Sequence, residues 1–335
     1  MSSAFRRYLL TKLVWFVAAF CAALALNFFL PRLIPGNPAD ALVAKLASGG
    51  GGEAQAVKQA YAAYFVRFGL DQPIQVQFLI YLNNLAHGDM GTSFLLYPAQ
   101  VKDLIGQALP WTLGLQLPAI LVGWLVGNTL GALAAYKGGW FDRGAFVGSL
   151  ALSSTPYYCL AILLVYGLAV ALPVFPPGGG YAYGRTPSLS LPFMADVLSH
   201  YALPFLSLVA IFVGTQAVGM RSMAIYELGS DYVTYARGLG VSDNRVVAYI
   251  FRNAMLPQVT GLALAIGSLV GGALITEIVF SYPGVGTLLF NAIRQSDYPV
   301  IQGITLMITL GVLIANFLVD ITYGLIDPRI RAAET

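Results

Sequence analysis

The first candidates for chemistry in this sequence are ionisable side chains within apolar stretches, because a charge inside a membrane or core is costly. Glu277 and Asp320 each interrupt a long apolar run, and Asn316 lies one helical turn before Asp320. Either carboxylate could contact a transported solute or a gate, or could be hydrogen-bonded to a neighbouring helix. The sequence leaves both alternatives open.

No motif for catalysis or metal binding accompanies these carboxylates. His87 and His200 lack cysteines or carboxylates at metal-ligand spacing, and the sequence contains no His-Glu-x-x-His motif. The glycine run at 49–52 is not followed by the Lys-Ser/Thr of a phosphate-binding loop, so we interpret it as a flexible insert. We expect a chain that is not an enzyme and binds no cofactor or metal. If it moves a solute uphill, another polypeptide must supply the energy.

The composition predicts an integral membrane protein. Of its 335 residues, 58% are hydrophobic and 10% are charged, whereas charged residues make up about a quarter of a soluble domain. The net charge of +3 does not indicate a nucleic-acid partner, since basic residues in membrane proteins mainly record orientation. The expected partner of most of this surface is membrane lipid.

The apolar runs predict an all-α polytopic fold with six transmembrane helices. The predicted spans are 13–30, 112–135, 145–172, 203–220, 257–280 and 301–326. Three regions follow: a head with the first span (1–33), a large helical insert (34–108) and a core with five spans (109–335). Within the insert, Pro73 predicts the start of a helix that ends near Gly88.

Basic residues in the short connections predict the orientation. With six spans, one side of the membrane holds a dense basic set consisting of Arg6, Arg7, Lys12, Lys137, Arg143, Arg221, Arg237, Arg245, Arg252, Arg329 and Arg331. Cytoplasmic loops carry the excess of Lys and Arg, so both termini and the connection between the fourth and fifth spans are predicted to be cytoplasmic. The insert 34–108 is then extracytoplasmic.

A polar connection at 222–257 is the candidate docking element. The apolar spacing of its residues 231–257 predicts two short amphipathic helices, with Ser242 as the N-cap of the second. Gly238 and Gly240 lie between these helices and leave the backbone open to close approach by another protein.

This connection resembles the cytoplasmic coupling loop of ATP-binding-cassette importer permeases, in the form found in the oligopeptide and dipeptide subfamily. The resemblance rests on Tyr235-Ala236-Arg237-Gly238-Leu239-Gly240 and Arg252-Asn253-Ala254-Met255-Leu256-Pro257. Thr234-Tyr235-Ala236 stands where the loop's usual Glu-Ala-Ala would be. Further similar segments occur in the family's order: Ile34-Pro35-Gly36-Asn37-Pro38, Gly69-Leu70-Asp71-Gln72-Pro73, Gly88-Asp89-Met90-Gly91-Thr92-Ser93, Glu277-Ile278-Val279-Phe280-Ser281-Tyr282-Pro283-Gly284, and Val319-Asp320 through Asp327-Pro328-Arg329.

The resemblance implies a permease subunit in the cell inner membrane. Its implied partners are a second homologous permease, two ATPase subunits that bind ATP and Mg, and an extracytoplasmic solute-binding protein. The implied ATPase-docking residues comprise close contacts and rim charges: Asp231, Ala236, Arg237, Gly238, Leu239, Gly240 and Arg245. Peptides are the implied solutes, with oligosaccharides, nickel or another small solute as alternatives. A secondary transporter, a membrane-embedded enzyme or a receptor scaffold is a different class, and the sequence shows no clear signal for any of them.

Overall fold

The computed structural model describes residues 3–33, 72–93, 96, 98–267 and 274–326. Its elements are helical: α1 Ser3–Leu33, α2 Ile74–Ala86, α3 Val101–Lys137, α4 Gly139–Ser154, α5 Tyr157–Leu164 with a π-helical extension Val165–Ala171, α6 Leu191–Leu228, α7 Asp231–Gly238, α8 Asp243–Gly267, α9 Leu274–Val279, α10 Val285–Arg294 and α11 Tyr298–Ile326. No strand occurs within these ranges, apart from one isolated bridge between Thr92 and Gln100. The all-α prediction is confirmed at this level.

Four helices are long and apolar enough to cross a membrane. These stretches are Arg6–Leu30 in α1, Val101–Lys137 in α3, Leu191–Leu228 in α6 and Tyr298–Ile321 in α11. The helices α1, α3, α6 and α11 contain the first, second, fourth and sixth predicted spans. Helix α2 confirms the helix predicted after Pro73, whereas the glycine run at 49–52 lies outside the described residues. The expected boundary between insert and core at 108/109 falls inside α3, which is continuous there.

The predicted third span at 145–172 contains a sharp break. Helices α4 and α5 meet at an angle of 98°, across a break at Thr155 and Pro156. Pro156 has no amide hydrogen to continue the helix, and its ring drives the preceding residue out of the helical region. Thr155 is accordingly extended, with φ −90° and ψ 124°.

The prediction of a short second helix in the polar connection is wrong. Helix α8 continues through Pro257 to Gly267 and so joins the connection directly to the apolar run 257–266. Its buried residues Val246, Ile250 and Ala254 recur every fourth position, which keeps one face packed along this length. The predicted fifth span also includes 268–273, which lie outside the described residues, and α9.

Close packing of α3 on α6 forms the centre of the bundle. Gly123, Gly127 and Gly131 recur every fourth residue along the face of α3 that touches α6. A Cβ placed on Gly127 would lie 2.6 Å from the carbonyl oxygen of Val213, so only glycine permits this approach. Small residues at this spacing are the usual means by which membrane helices pack closely.

Helix α1 is fastened to α11 near both of its ends. At one end the Tyr8 hydroxyl donates to the carbonyl oxygen of Asp320 at 2.8 Å, and at the other Asn27 Nδ2 donates to the carbonyl oxygen of Gln302 at 2.7 Å. Among the described residues, few cover the intervening part of α1. Helix α1 therefore lies at the periphery of the bundle.

Candidate functional site

The polar connection is fixed to the ends of three long helices. Its buried side chains form a helix-end cluster with α6 and, through partly buried side chains, with the end of α3. The members are Ala224 of α6, Val233 and Ala236 of α7, Val246 and Ile250 of α8, with Ala135 and Tyr136 of α3 packed against them. Because these contacts are apolar and shared, a force applied to α7 is transmitted to α3, α6 and α8.

The backbone explains why Gly240 follows α7. Gly240 has φ +72°, in the left-handed region that glycine adopts without steric cost. Its amide donates to the carbonyl oxygen of Arg237 at 3.0 Å, and the amide of Val241 donates to that of Ala236 at 3.1 Å. These two bonds constitute a Schellman cap, with Val241 and Ala236 in the same apolar cluster.

An exposed docking face lies on the outer side of this turn and consists of Tyr235, Gly238, Leu239 and Gly240. Tyr235 is 69% exposed and Leu239 is 63% exposed, although both side chains are large. Among the described residues, no atom outside the immediate backbone lies within 4 Å of a Cβ placed on Gly238 or Gly240. The face is therefore open to a second protein.

The predicted docking residues do not all lie on this face. Asp231, Arg237 and Arg245 are exposed, so their side chains can reach a partner at the rim. Ala236 points inward, with 8% exposure, because its methyl group fills the helix-end cluster. This is a correction to the expected set: Ala236 supports the docking face from below instead of forming part of it.

A buried polar contact beneath the face was not foreseen. The Tyr232 hydroxyl donates to Glu227 Oε2 at 2.7 Å, which connects α7 to the end of α6. Burial raises the pKa of Tyr232, and the adjacent Glu227 carboxylate adds to this shift. The sequence signal was a tyrosine five residues after a glutamate across a predicted turn, which is too common to single out.

Several of the basic connections come together at this end of the bundle. The Arg221 guanidinium binds the Asp142 carboxylate through two hydrogen bonds of 2.6 Å, joining the end of α6 to the start of α4. Lys137 and Arg143 flank that contact in sequence, and the helix-end cluster lies at the same ends of α3 and α6. The charge pattern assigns these basic connections to one side of the membrane, and in the structure they lie at the same end of the bundle.

Asp320 and Asn316 face α1. Lys12 Nζ lies 3.5 Å from Asp320 Oδ1, and both residues line a cavity of about 190 Å³ between α1 and α11, together with Asn316. In this structure Asp320 therefore contacts a neighbouring helix through Lys12. Its charge is balanced by Lys12 near the end of α1.

Glu277 is fully buried, with 0% exposure, at the far end of the bundle from the docking face. Its Oε2 accepts a hydrogen bond of 2.7 Å from the amide of Gly286, and the side chains of Thr112 and Gln116 of α3 face the same carboxylate. The neighbouring amide of Val285 donates to the Thr112 hydroxyl oxygen at 2.8 Å. Glu277 therefore binds a turn of its own chain, and Thr112, Gln116 and Gly286 are partners that sequence reasoning missed.

These features define a class: a polytopic helical membrane protein with an exposed polar loop fixed to its long helices. The family of binding-protein-dependent transport system inner membrane components matches residues 127–332. The chain belongs to this family of ATP-binding-cassette transporter permeases.

Relatives match over nearly the whole chain. The chain is 34% identical over 339 residues to the di/tripeptide transport system permease protein DppB of Pseudomonas aeruginosa, covering 97% of this chain and 98% of that protein. It is 34% identical over 326 residues to the glutathione transport system permease protein GsiC of Salmonella typhi, covering 97% and 98%. The resemblance noted from the sequence motifs is confirmed.

Proposed function

We propose that this chain is the transmembrane subunit of an ATP-driven importer of short peptides. The observation that carries this proposal is the match to peptide and glutathione permeases over 97% of the chain. The solute class comes from those relatives, since the cavities of this chain do not distinguish a peptide from a sugar. The chain itself is not catalytic. ATP and Mg are bound by two partner ATPase subunits, and a second homologous permease completes the path.

The docking face is the proposed site of ATPase contact. Leu239 and Tyr235 supply exposed apolar surface on a loop that carries polar residues elsewhere, and Gly238 and Gly240 allow close approach. Asp231, Arg237 and Arg245 form ion pairs at the rim, which contribute orientation more than affinity. The helix-end cluster then passes ATPase motion to α3, α6 and α8.

The proposed topology has six spans, with α4 and α5 together forming a broken third span and α8 and α9 contributing the fifth. Both termini and the docking face lie in the cytoplasm, and an extracytoplasmic solute-binding protein delivers the solute to the opposite end. In a background without Cys21 and Cys159, a cysteine within 49–52 should react with an impermeant thiol reagent from outside. Asn244→Cys should react only after the membrane is permeabilised. Reversed labelling would contradict this orientation.

The solute class is tested by uptake into proteoliposomes that contain this chain, its partner permease and the two ATPases. With the solute-binding protein outside and ATP inside, labelled di- and tripeptides should accumulate, and glutathione should be compared in the same assay. Competition by an unlabelled oligosaccharide should have no effect. If the oligosaccharide accumulated and the peptides did not, the chain would still belong to an importer, but its solute would be an oligosaccharide.

A further inference from the structure

We propose that Glu277 is the positioning residue that latches the turn 280–286 against α3 and so keeps the outer end of the bundle closed. We call residues 280–286 the outer turn. The word "outer" rests on the proposed topology, but the latch itself rests on contacts within the chain.

The Glu277 carboxylate is hydrogen-bonded to the outer turn and closely surrounded by its glycines. The amide of Gly286 donates to Glu277 Oε2 at 2.7 Å, and the amide of Tyr282 donates to the carbonyl oxygen of Glu277 at 2.8 Å. A Cβ placed on Gly284 would lie 2.6 Å from Glu277 Oε1, and one on Gly286 would lie 2.8 Å from Oε2. Glu277 and the glycines of the turn therefore fit each other closely.

The same turn is held from the side by α3 and by the segment after α5. Thr112 accepts the amide of Val285 at 2.8 Å, and Trp111 packs edge-on against Tyr282 with ring centroids 5.6 Å apart. The amide of Gly179 donates to the carbonyl oxygen of Phe280 at 2.7 Å. The turn is thus a junction of α3, α9, α10 and the segment 178–180.

Some buried polar groups beside the outer turn lack hydrogen bonds that a second conformation of the turn could provide. Within the described part of the chain, Thr276 Oγ1 of α9 and Thr287 Oγ1 of α10 are buried without a hydrogen-bond partner. Ser281, within the turn, has φ +47°, a left-handed conformation that non-glycine residues seldom adopt. Buried unpaired polar atoms and a strained residue are typical of elements with more than one stable position.

Open space lies directly against the turn. A cavity of about 680 Å³ is lined by residues 177–179 and 181–185, together with His200 and Ser281. The outer turn therefore separates an accessible cavity from the buried core, with Glu277 on the core side. Lifting the turn would expose Val285, which is 0% exposed in this conformation.

The test measures how fast a buried cysteine is labelled by an impermeant maleimide in membranes containing the full chain without Cys21 and Cys159. Val285→Cys reports on the outer turn. Ser93→Cys is the matched probe of general integrity, because Ser93 is equally buried and lies close to Asp297 instead of the turn. We expect Glu277→Ala to raise the labelling rate of Val285→Cys at least tenfold without changing that of Ser93→Cys.

The conservative variant separates a latch from a simple packing role. Glu277→Gln keeps one oxygen that can accept the Gly286 amide, so the labelling rate of Val285→Cys should stay within about threefold of the parent rate. An unchanged rate in Glu277→Ala would overturn the latch. Equal rises at both probes would also overturn it, because Glu277 would then support the fold in general.

A double-mutant cycle tests the contact itself. Gly284 has φ −90°, so alanine is conformationally allowed there, and the three atoms nearest to its Cβ all belong to the Glu277 carboxylate. Gly284→Ala should speed labelling of Val285→Cys in the parent but add nothing in the Glu277→Ala background. Gly114→Ala is the control, since no described atom lies within 4 Å of its Cβ. Additive effects would show that the carboxylate does not hold the turn. These rates do not depend on solute uptake, so the latch can fail without the proposed function failing.

Discussion

Substitutions at Gly240 separate two roles of one residue, the Schellman cap of α7 and the open docking face. Because Gly240 has φ +72°, an L-residue with a Cβ is strained there by about 1–2 kcal/mol, whereas asparagine tolerates this region better. The strain is opposed by the larger buried side chains of the helix-end cluster, Val233, Val246 and Ile250, each of which contributes about 1.5–3 kcal/mol when fully buried. The loop should therefore stay folded in every variant.

The expected effects of different side chains at position 240 follow from the free space around a Cβ placed there. No described atom lies within 4 Å of a Cβ on Gly240, so even tryptophan fits the isolated chain, but its ring occupies the docking face. We expect Gly240→Ala to lower solute uptake by at most about thirtyfold, the factor that corresponds to strain of about 2 kcal/mol. Gly240→Trp should lower uptake and substrate-stimulated ATP hydrolysis more than about a hundredfold, at normal membrane levels. Gly238→Ala adds a methyl group to the same face without backbone strain, since Gly238 has an ordinary φ, and should lower uptake less than Gly240→Ala does.

The assay is the uptake rate per assembled complex in proteoliposomes, with ATPase retention measured on the same preparation. Gly240→Asn adds a side chain with little strain, so it distinguishes crowding of the docking face from distortion of the cap. If Gly240→Trp transports at the parent rate with the ATPases still bound, the face does not couple ATP hydrolysis to transport. Loss of Gly240→Trp from the membrane would instead place the defect in folding and refute the reasoning about open space.

Three further outcomes are expected. Arg245→Ala should reduce uptake less than about threefold, because an exposed ion pair is typically worth under about 1 kcal/mol; a loss as large as that of Gly240→Trp would refute a rim role. Asp320→Asn removes the charge paired with Lys12, so it should lower the unfolding temperature in detergent while leaving uptake per complex unchanged. Loss of uptake at unchanged stability would instead indicate that Asp320 contacts the solute. Gly127→Leu should abolish folded protein through collision with the Val213 backbone, whereas Gly114→Leu should accumulate normally, and equal accumulation of both would contradict the proposed packing.

Local features of the fold were predictable from the sequence, but contacts between distant segments were not. The apolar runs identify α1, α3, α6 and α11 because their length alone decides that they can span a membrane. Pro156 marks a break, yet the 98° angle between α4 and α5 depends on packing that no local pattern encodes. Likewise, the continuation of α8 beyond Pro257 is set by its buried face.

In the candidate sites, too, local features were predictable from the sequence and contacts between distant segments were not. A glycine after an amphipathic helix predicts the left-handed cap at Gly240, since the signal lies within a few residues. The inward position of Ala236 depends on the end of α3, about a hundred residues earlier in the chain, and was therefore missed. The partners of Glu277 are equally remote on the α3 side, although the glycines at 284 and 286 were a local sign of close approach to a side chain.

The most direct test of the central claim is ATP-dependent uptake by the chain alone compared with the complete complex, in matched proteoliposomes. We expect no uphill uptake of a labelled tripeptide by this chain alone. We expect ATP-dependent accumulation once the partner permease, both ATPases and the solute-binding protein are present, with loss of accumulation in Gly240→Trp. Uphill uptake by this chain alone without ATP would contradict the central claim.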